Sequence, residues 1–248
     1  MATAGRGPLA GARGARFGAG RTFPIVEIFG PVLQGEGRMI GAQTLFVRTG
    51  YCDFRCAWCD TLYAVEPAQV QAGAEWLTAN AIAARLDALS RHTPWVTLSG
   101  GNPALHDLAA LVSHLHADGR KVAIETQGTV FRPWLADCDV VTVSPKPPSS
   151  GMTTDYGKLD RFAALSHANF KVVVFDEADY QYARAIHLRY PTVPFALQVG
   201  AHVGVDAVEA LLRKLDWLAQ RAMRDPEMGA ALVLPQLHTL MYGNRRGV

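Results

Sequence analysis

Apolar residues follow two rhythms along this chain. Short runs rich in β-branched and aromatic residues recur at Thr44 to Arg48, Trp95 to Ser99, Lys121 to Glu125, Asp139 to Val143, Phe170 to Phe175, Phe195 to Val199 and Ala231 to Leu234, and each reads as a strand. Between the first two, Ile82, Leu86 and Leu89 stand at i, i+4 and i+7; Val208, Leu211, Leu212, Leu215 and Ala219 repeat that spacing near the end. Both stretches predict amphipathic helices lying on a sheet. Mostly apolar strands alternating with helices imply a parallel sheet covered by those helices, which right-handed crossovers curl into a barrel, full or partial. The expected fold is an α/β partial (β/α) barrel of about six parallel strands.

In such a barrel the chemistry lies at the C-terminal ends of the strands. The unusual residues agree. A cysteine-rich loop follows the first strand, Ser99-Gly-Gly-Asn-Pro103 the second, Glu125-Thr-Gln-Gly128 the third and Ser144-Pro-Lys146 the fourth. Four successive strands thus send polar or Gly-rich loops to one rim.

Composition adds boundaries. A 49% hydrophobic share over 248 residues is that of a chain with a real core, and no linker interrupts it, so residues 23–248 are expected to form one domain. Residues 1–22, built mainly from Ala, Gly and Arg, have too little apolar bulk to offset the entropy of ordering and read as a disordered tail. A net charge of +2 gives no footprint for duplex nucleic acid, and no nucleic-acid partner is expected. No apolar run reaches the ~18 residues that cross a bilayer, and the N-terminus carries no apolar h-region, so no membrane association is expected. Crowded thiols suit a reducing, cytoplasmic compartment.

Three of the four cysteines, Cys52, Cys56 and Cys59, form a CxxxCxxC array in Gly50-Tyr-Cys-Asp-Phe-Arg-Cys-Ala-Trp-Cys-Asp-Thr61. Thiolates so spaced hold either a structural zinc ion or three irons of a cubane cluster, whose fourth iron then stays open to a small molecule. No fourth zinc ligand is near: the next His is His92, and Cys138 reads as a small hydrophobe at a strand start. Trp58, between the last two cysteines, and the Gly100-Gly101 pair describe a cluster beside a bound molecule.

With these residues the chain resembles the radical S-adenosylmethionine superfamily, whose CxxxCxxC loop binds one four-iron four-sulfur cluster and whose GGEP-like loop binds the methionine part of the cofactor. Asn102 stands where that loop often has Glu, which removes a charge but leaves the Gly101 backbone contact. Leu33-Gln-Gly-Glu-Gly37, Phe46-Val-Arg48, Trp58-Cys-Asp-Thr61, Pro235-Gln-Leu-His238 and Asn244-Arg-Arg-Gly-Val248 together resemble the 7-carboxy-7-deazaguanine synthase family of the queuosine pathway, from about Pro24 to Val248.

That resemblance implies ring contraction of 6-carboxy-5,6,7,8-tetrahydropterin with loss of ammonia. It places the substrate carboxylate on Arg48, the pterin on the backbone of Leu33, Gln34 and Gly35 with Glu36 accepting from its N–H edge, and further substrate contacts on Ser99 and the Val248 carboxylate. Trp58, Cys59, Asp60, Gly101, Ser144, Pro145, Lys146 and Gln198 would surround S-adenosylmethionine, and Thr61 would bind Mg²⁺. Arg245 and Arg246 read as surface charges. A reducing electron donor such as flavodoxin and a homodimeric assembly are implied with it. Two readings stay beside this one: a glycyl-radical activating enzyme with the same cysteine spacing, and a zinc-stapled binding module.

Overall fold

The computed structural model describes residues 20–202, 206–243 and 245–248. The expected tail lies outside the described residues except for its last three positions, and Thr22 already opens a strand.

Among the described residues nine strands form one sheet. The long β1 (Thr22–Leu33) pairs antiparallel with β2 (Gln43–Thr49) on one side and with the short β3 (Glu75–Thr78) on the other. From β2 onward every pairing is parallel, through β4 (Trp95–Gly100), β5 (Lys121–Thr126), β6 (Val140–Val143), β7 (Ala168–Val174), β8 (Phe195–Val199) and β9 (Leu232–Leu234). The order β3-β1-β2-β4-β5-β6-β7-β8-β9 leaves β3 and β9 as open edges, so the barrel is partial. Each of the seven runs read from the sequence is one of the parallel strands, one more than the expected six. The antiparallel pair was not in that set. β3 has only four residues, two of them exposed, and carries too weak an alternation to stand out.

Helices fill the connections between strands, α1 (Leu62–Val65), α2 (Pro67–Gly73), α3 (Ala79–Leu89), α4 (Ala109–Ala117), α5 (Tyr156–Ala163), α6 (Glu177–Arg189) and α7 (Val208–Met223), and α8 (Leu237–Tyr242) follows β9. Thr78 caps α3 by accepting from the Ala81 N–H, and Asp176 caps α6 by accepting from Asp179 N–H, so each helix starts where its first free donors find an oxygen. Two expected stripes shift. On α3, Ile82 and Leu86 are buried but Leu89 is 41% exposed at the helix end. On α7 the face against the sheet runs Leu211, Leu215, Leu218 and Ala222, whereas Val208 and Leu212 point outward. A single sequence stripe can be drawn through either set; contact with β8 and β9 selects one.

The core joins Leu45, Val47, Val96, Leu98, Val122, Ile124, Val141, Val143, Phe170 and Val172 with helix residues such as Leu111 and Ile186. These alternate strand positions bury one face of each strand against helices, which leaves the other face to line the barrel interior. Cys138 belongs to this core, just before β6, and burial pushes its thiol up to about 12.

Candidate active site

The cysteine loop leaves β2 at Thr49 and is pinned by the loop after β4. Gly101 N–H donates to the Thr49 carbonyl at 3.1 Å and Asn102 N–H to the Tyr51 carbonyl at 2.8 Å. Tyr51 sits at φ 72°, a left-handed conformation that a non-glycine residue holds only where neighbours enforce it. A side chain on Gly101 would strike the Tyr51 and Ala64 carbonyls, so glycine here is a packing requirement. The Asn102 side chain is fully buried and spent inside the protein: Nδ2 donates to Asp53 and Thr129, and Oδ1 accepts from Thr126 and Ala104.

Cys52, Cys56 and Cys59 are unpaired, half-buried and on the wall of one cavity of about 220 Å³. Burial raises the Cys52 and Cys56 thiols; the neighbouring thiols raise Cys56 further, and the Lys146 charge opposes both shifts. Gln127 Nε2 approaches Cys52 Sγ at 3.4 Å. Among the described residues no three His, Cys, Asp or Glu side chains converge on a position for a single ion. Three soft sulfur donors on one wall, near a cation and without a fourth, fit an iron-sulfur cluster with one open iron better than closed tetrahedral zinc.

A second wall carries Trp58, Ser144 and Lys146. Trp58 Nε1 donates to Ser149 Oγ at 2.9 Å, Ser149 donates in turn to the buried Asp179 at 2.6 Å, and the Trp58 ring tilts against Phe175. The first turn of α6 thus sets the indole. Lys146 Nζ lies 5.5 Å from the Trp58 ring centre and donates to Ser144 Oγ at 3.2 Å.

The third wall is the turn after β1. Its shape comes from close packing: any side chain on Gly35 would collide with the His238 ring, and Leu237 N–H donates to the Gly35 carbonyl at 2.9 Å. Glu36 accepts from Gln236 Nε2 at 2.7 Å and is ion-paired with the buried Lys171, whose ammonium also lies 3.7 Å from Glu125. Burial alone would lift the Glu36 carboxyl, but the Lys171 and His238 charges and the hydrogen bonds from Lys171 and Gln236 override it, to about 2. Desolvation likewise opposes the Lys171 charge, and Glu125 and Glu36 together raise its pKa above the ordinary value.

The fourth wall is Arg48. Glu27 and Arg48 face each other in the β1–β2 register, and Arg48 Nε donates to Glu27 Oε2 at 3.0 Å. Among the described residues this is the guanidinium's one hydrogen bond. Arg246, expected as a surface charge, is indeed exposed, and it also pairs with Glu27 Oε1 and packs on Tyr63, while Val248 beyond it reaches the cavity.

Of the residues singled out in the sequence, the three cysteines, Leu33, Gln34, Gly35, Glu36, Arg48, Trp58, Asp60, Thr61, Ser99, Gly101, Ser144, Lys146 and Val248 all line this cavity. Pro145 and Gln198 are not on its wall. Gln198 is fully buried and both ends of its amide are occupied, Oε1 by Gly37 N–H at 3.1 Å and Nε2 by the Pro235 carbonyl; it braces the turn after β1 against the C-terminal segment. Sequence reasoning noted the motifs that hold Glu125, Gln127, Gln236 and His238 but gave those residues no role, and it missed Lys171. Lys171 had a signal, a lone charge inside Phe170-Lys-Val-Val-Val174, a strand buried at every position.

The radical SAM superfamily model matches residues 46–145. The 7-carboxy-7-deazaguanine synthase of Bacillus cereus is 45% identical over 235 residues, covering 91% of this chain and 98% of that protein; the enzyme of the same name from Bacillus subtilis is 43% identical over 243 residues with the same coverage. Among solved structures, QueE from Escherichia coli superposes with a TM-score of 0.62 at 26% identity, covering 81% of this chain and 91% of its own. Streptococcus suis SuiB, at 13% identity and a TM-score of 0.52, shares the fold alone.

Proposed function

This chain belongs to the 7-carboxy-7-deazaguanine synthase family of radical SAM enzymes, and we propose that the rim cavity is where it contracts 6-carboxy-5,6,7,8-tetrahydropterin to 7-carboxy-7-deazaguanine with release of ammonia. One observation carries the assignment of the site: the three cysteines, Arg48, the Gln34-Gly-Glu36 turn and the end of the chain all line a single cavity.

Cys52, Cys56 and Cys59 would hold a four-iron four-sulfur cluster, which with S-adenosylmethionine would supply the hydrogen-abstracting chemistry. The chain's own residues supply position. The planar Arg48 fork receives the substrate carboxylate, displacing or sharing Glu27, with the Val248 carboxylate and Ser99 on the same side. Glu36, held ionised, accepts from the amino and ring N–H donors of the pterin while Leu33, Gln34 and Gly35 bound it through backbone. Trp58, Cys59, Asp60, Gly101, Ser144 and Lys146 border S-adenosylmethionine. The Thr61 hydroxyl, 3.8 Å from Cys59 Sγ, offers Mg²⁺ the oxygen it favours, completed by substrate and water. A cytoplasmic location, a flavodoxin-like reductant and a homodimer belong to the same reading, on the family resemblance and the retained thiols. Among the described residues no helix is long and apolar enough to cross a membrane.

The test is anaerobic turnover by reconstituted protein with dithionite, S-adenosylmethionine and the carboxy-tetrahydropterin, with and without Mg²⁺. Deazaguanine product, faster with Mg²⁺, is expected. Cleavage of S-adenosylmethionine that leaves the pterin intact refutes the assignment.

A further inference from the structure

Lys171 is the one charged residue on β7, and nothing in the reading above uses it. Its side chain is 4% exposed. The aliphatic stem passes beneath the turn at Gly37, where a side chain would come within 3.6 Å of Lys171 Cδ. Its ammonium reaches two carboxylates from different elements, Glu36 after β1 and Glu125 at the end of β5, and all three residues line the cavity. Each carboxylate is steadied by one amide: Gln236 Nε2 donates to Glu36 Oε1, and Gln34 Nε2 to Glu125 Oε1 at 3.2 Å.

Two carboxylates facing one desolvated space repel, and without a cation between them one takes a proton. A protonated carboxyl presents a donor where a guanine-like ring edge also presents donors. We propose that Lys171 is a positioning residue for the ring-contraction reaction, holding Glu36 and Glu125 together as a paired, acceptor-only surface for the N–H edge of the pterin. The inference rests on the function proposed above. The other titratable groups facing the trio are His238 from α8, 4.0 Å from Glu36, and Asp60 of the cysteine loop, whose charge reaches Lys171. Neither lies between the two glutamates as Lys171 does. A permanent cation with several donors suits the place, since it can serve both acceptors at once.

The experiment measures equilibrium binding of 6-carboxy-5,6,7,8-tetrahydropterin to cluster-loaded protein by anaerobic calorimetry without reductant, from about pH 6 to 9. Wild type, Lys171→Met and Lys171→Arg are compared as affinity ratios at each pH, which cancels titration of the ligand itself. Lys171→Met is expected to bind about tenfold more weakly at the acid end and to recover as pH rises, because the unpaired glutamates lose their shared proton there. Lys171→Arg should stay within a few-fold of wild type with a flat ratio. A Lys171→Met loss equal at every pH marks a merely structural role and overturns the proposal, as does no loss at all. If Lys171→Met fails to fold or load its cluster, Lys171→Arg decides: a flat, tight ratio supports the proposal, and a folded, loaded variant that binds poorly overturns it. Wild type that ignores this pterin overturns the functional reading itself, a result distinct from all of these.

Discussion

Arg246 and Glu27 meet across 219 residues of chain, Nε to Oε1 at 2.6 Å, and the same guanidinium lies 3.8 Å from the centre of the Tyr63 ring. Glu27 gives its other oxygen to Arg48 and to the Tyr63 hydroxyl. One carboxylate therefore ties the chain end to the arginine on the cavity wall. Among the described residues no helix or strand follows α8, so this arrangement is what places Val248.

Because Arg246 is 56% exposed, its ion pair contributes little to global stability, about 0–1 kcal/mol. Its effect should fall on the two residues beyond it. Arg246→Ala is expected to leave Tm within about 2 °C while raising KM for the pterin about fivefold, the equivalent of roughly 1 kcal/mol of lost positioning. Steady-state kinetics beside a thermal melt separates the two.

Arg48 is held at Nε by Glu27, so its outer nitrogens are the ones left for an anion. Arg48→Ala should lower kcat/KM by about 10²-fold, roughly 2–3 kcal/mol for a lost charged hydrogen-bond pair. Arg48→Lys should recover little, since a point charge replaces a fork. Full recovery by lysine would mean that charge alone matters at this position.

The cysteines divide three against one. Replacing Cys52, Cys56 or Cys59 by Ala should abolish cluster loading, read as bound iron and sulfide, and with it cleavage of S-adenosylmethionine. Cys138→Ala, in the core, should load a full cluster and cost only stability, about 1 kcal/mol by denaturant melt.

The buried Lys171 and Glu36 pair gives stability a defined pH window. Glu36 titrates near 2 in the fold against 4.5 ordinarily, so its contribution is present above about pH 4.5 and is lost as pH falls toward 2. Lys171 is raised above 10.5, so its contribution is present below that pH and is lost as pH climbs past it. Lys171→Met leaves two buried carboxyl groups without their cation and should cost about 3–5 kcal/mol near neutrality, less in acid where both are protonated. Urea melts at pH 7 and about pH 4 read that difference.

Legibility tracked locality. The seven parallel strands could be read because each is a short apolar run with flanking turn residues, and the cysteine loop because its ligands fall within eight residues. The exposed face of α7 could not, since Leu212 and Leu211 are equally apolar and only the packed sheet distinguishes them. Gln198 stood at a strand end, where rim residues are expected, yet its amide is spent between Gly37 in the turn after β1 and the Pro235 carbonyl.

The sequence by itself determined the chemistry on offer: three thiols at cluster spacing, a Gly-Gly loop after the next strand, an arginine four residues ahead, and a glutamate in a glycine-rich turn. Spacing along a chain suffices where the ligands are neighbours, because local geometry dictates their reach. Only the tertiary structure decided which distant groups share charge. Lys171 meets Glu36 across 135 residues and Arg246 meets Glu27 across 219, and neither pairing has a sequence period to announce it. Such contacts arise when a sheet curls and brings the ends of separate strands to one rim, where burial makes each unpaired charge costly and pairs it with whatever opposite charge the fold delivers.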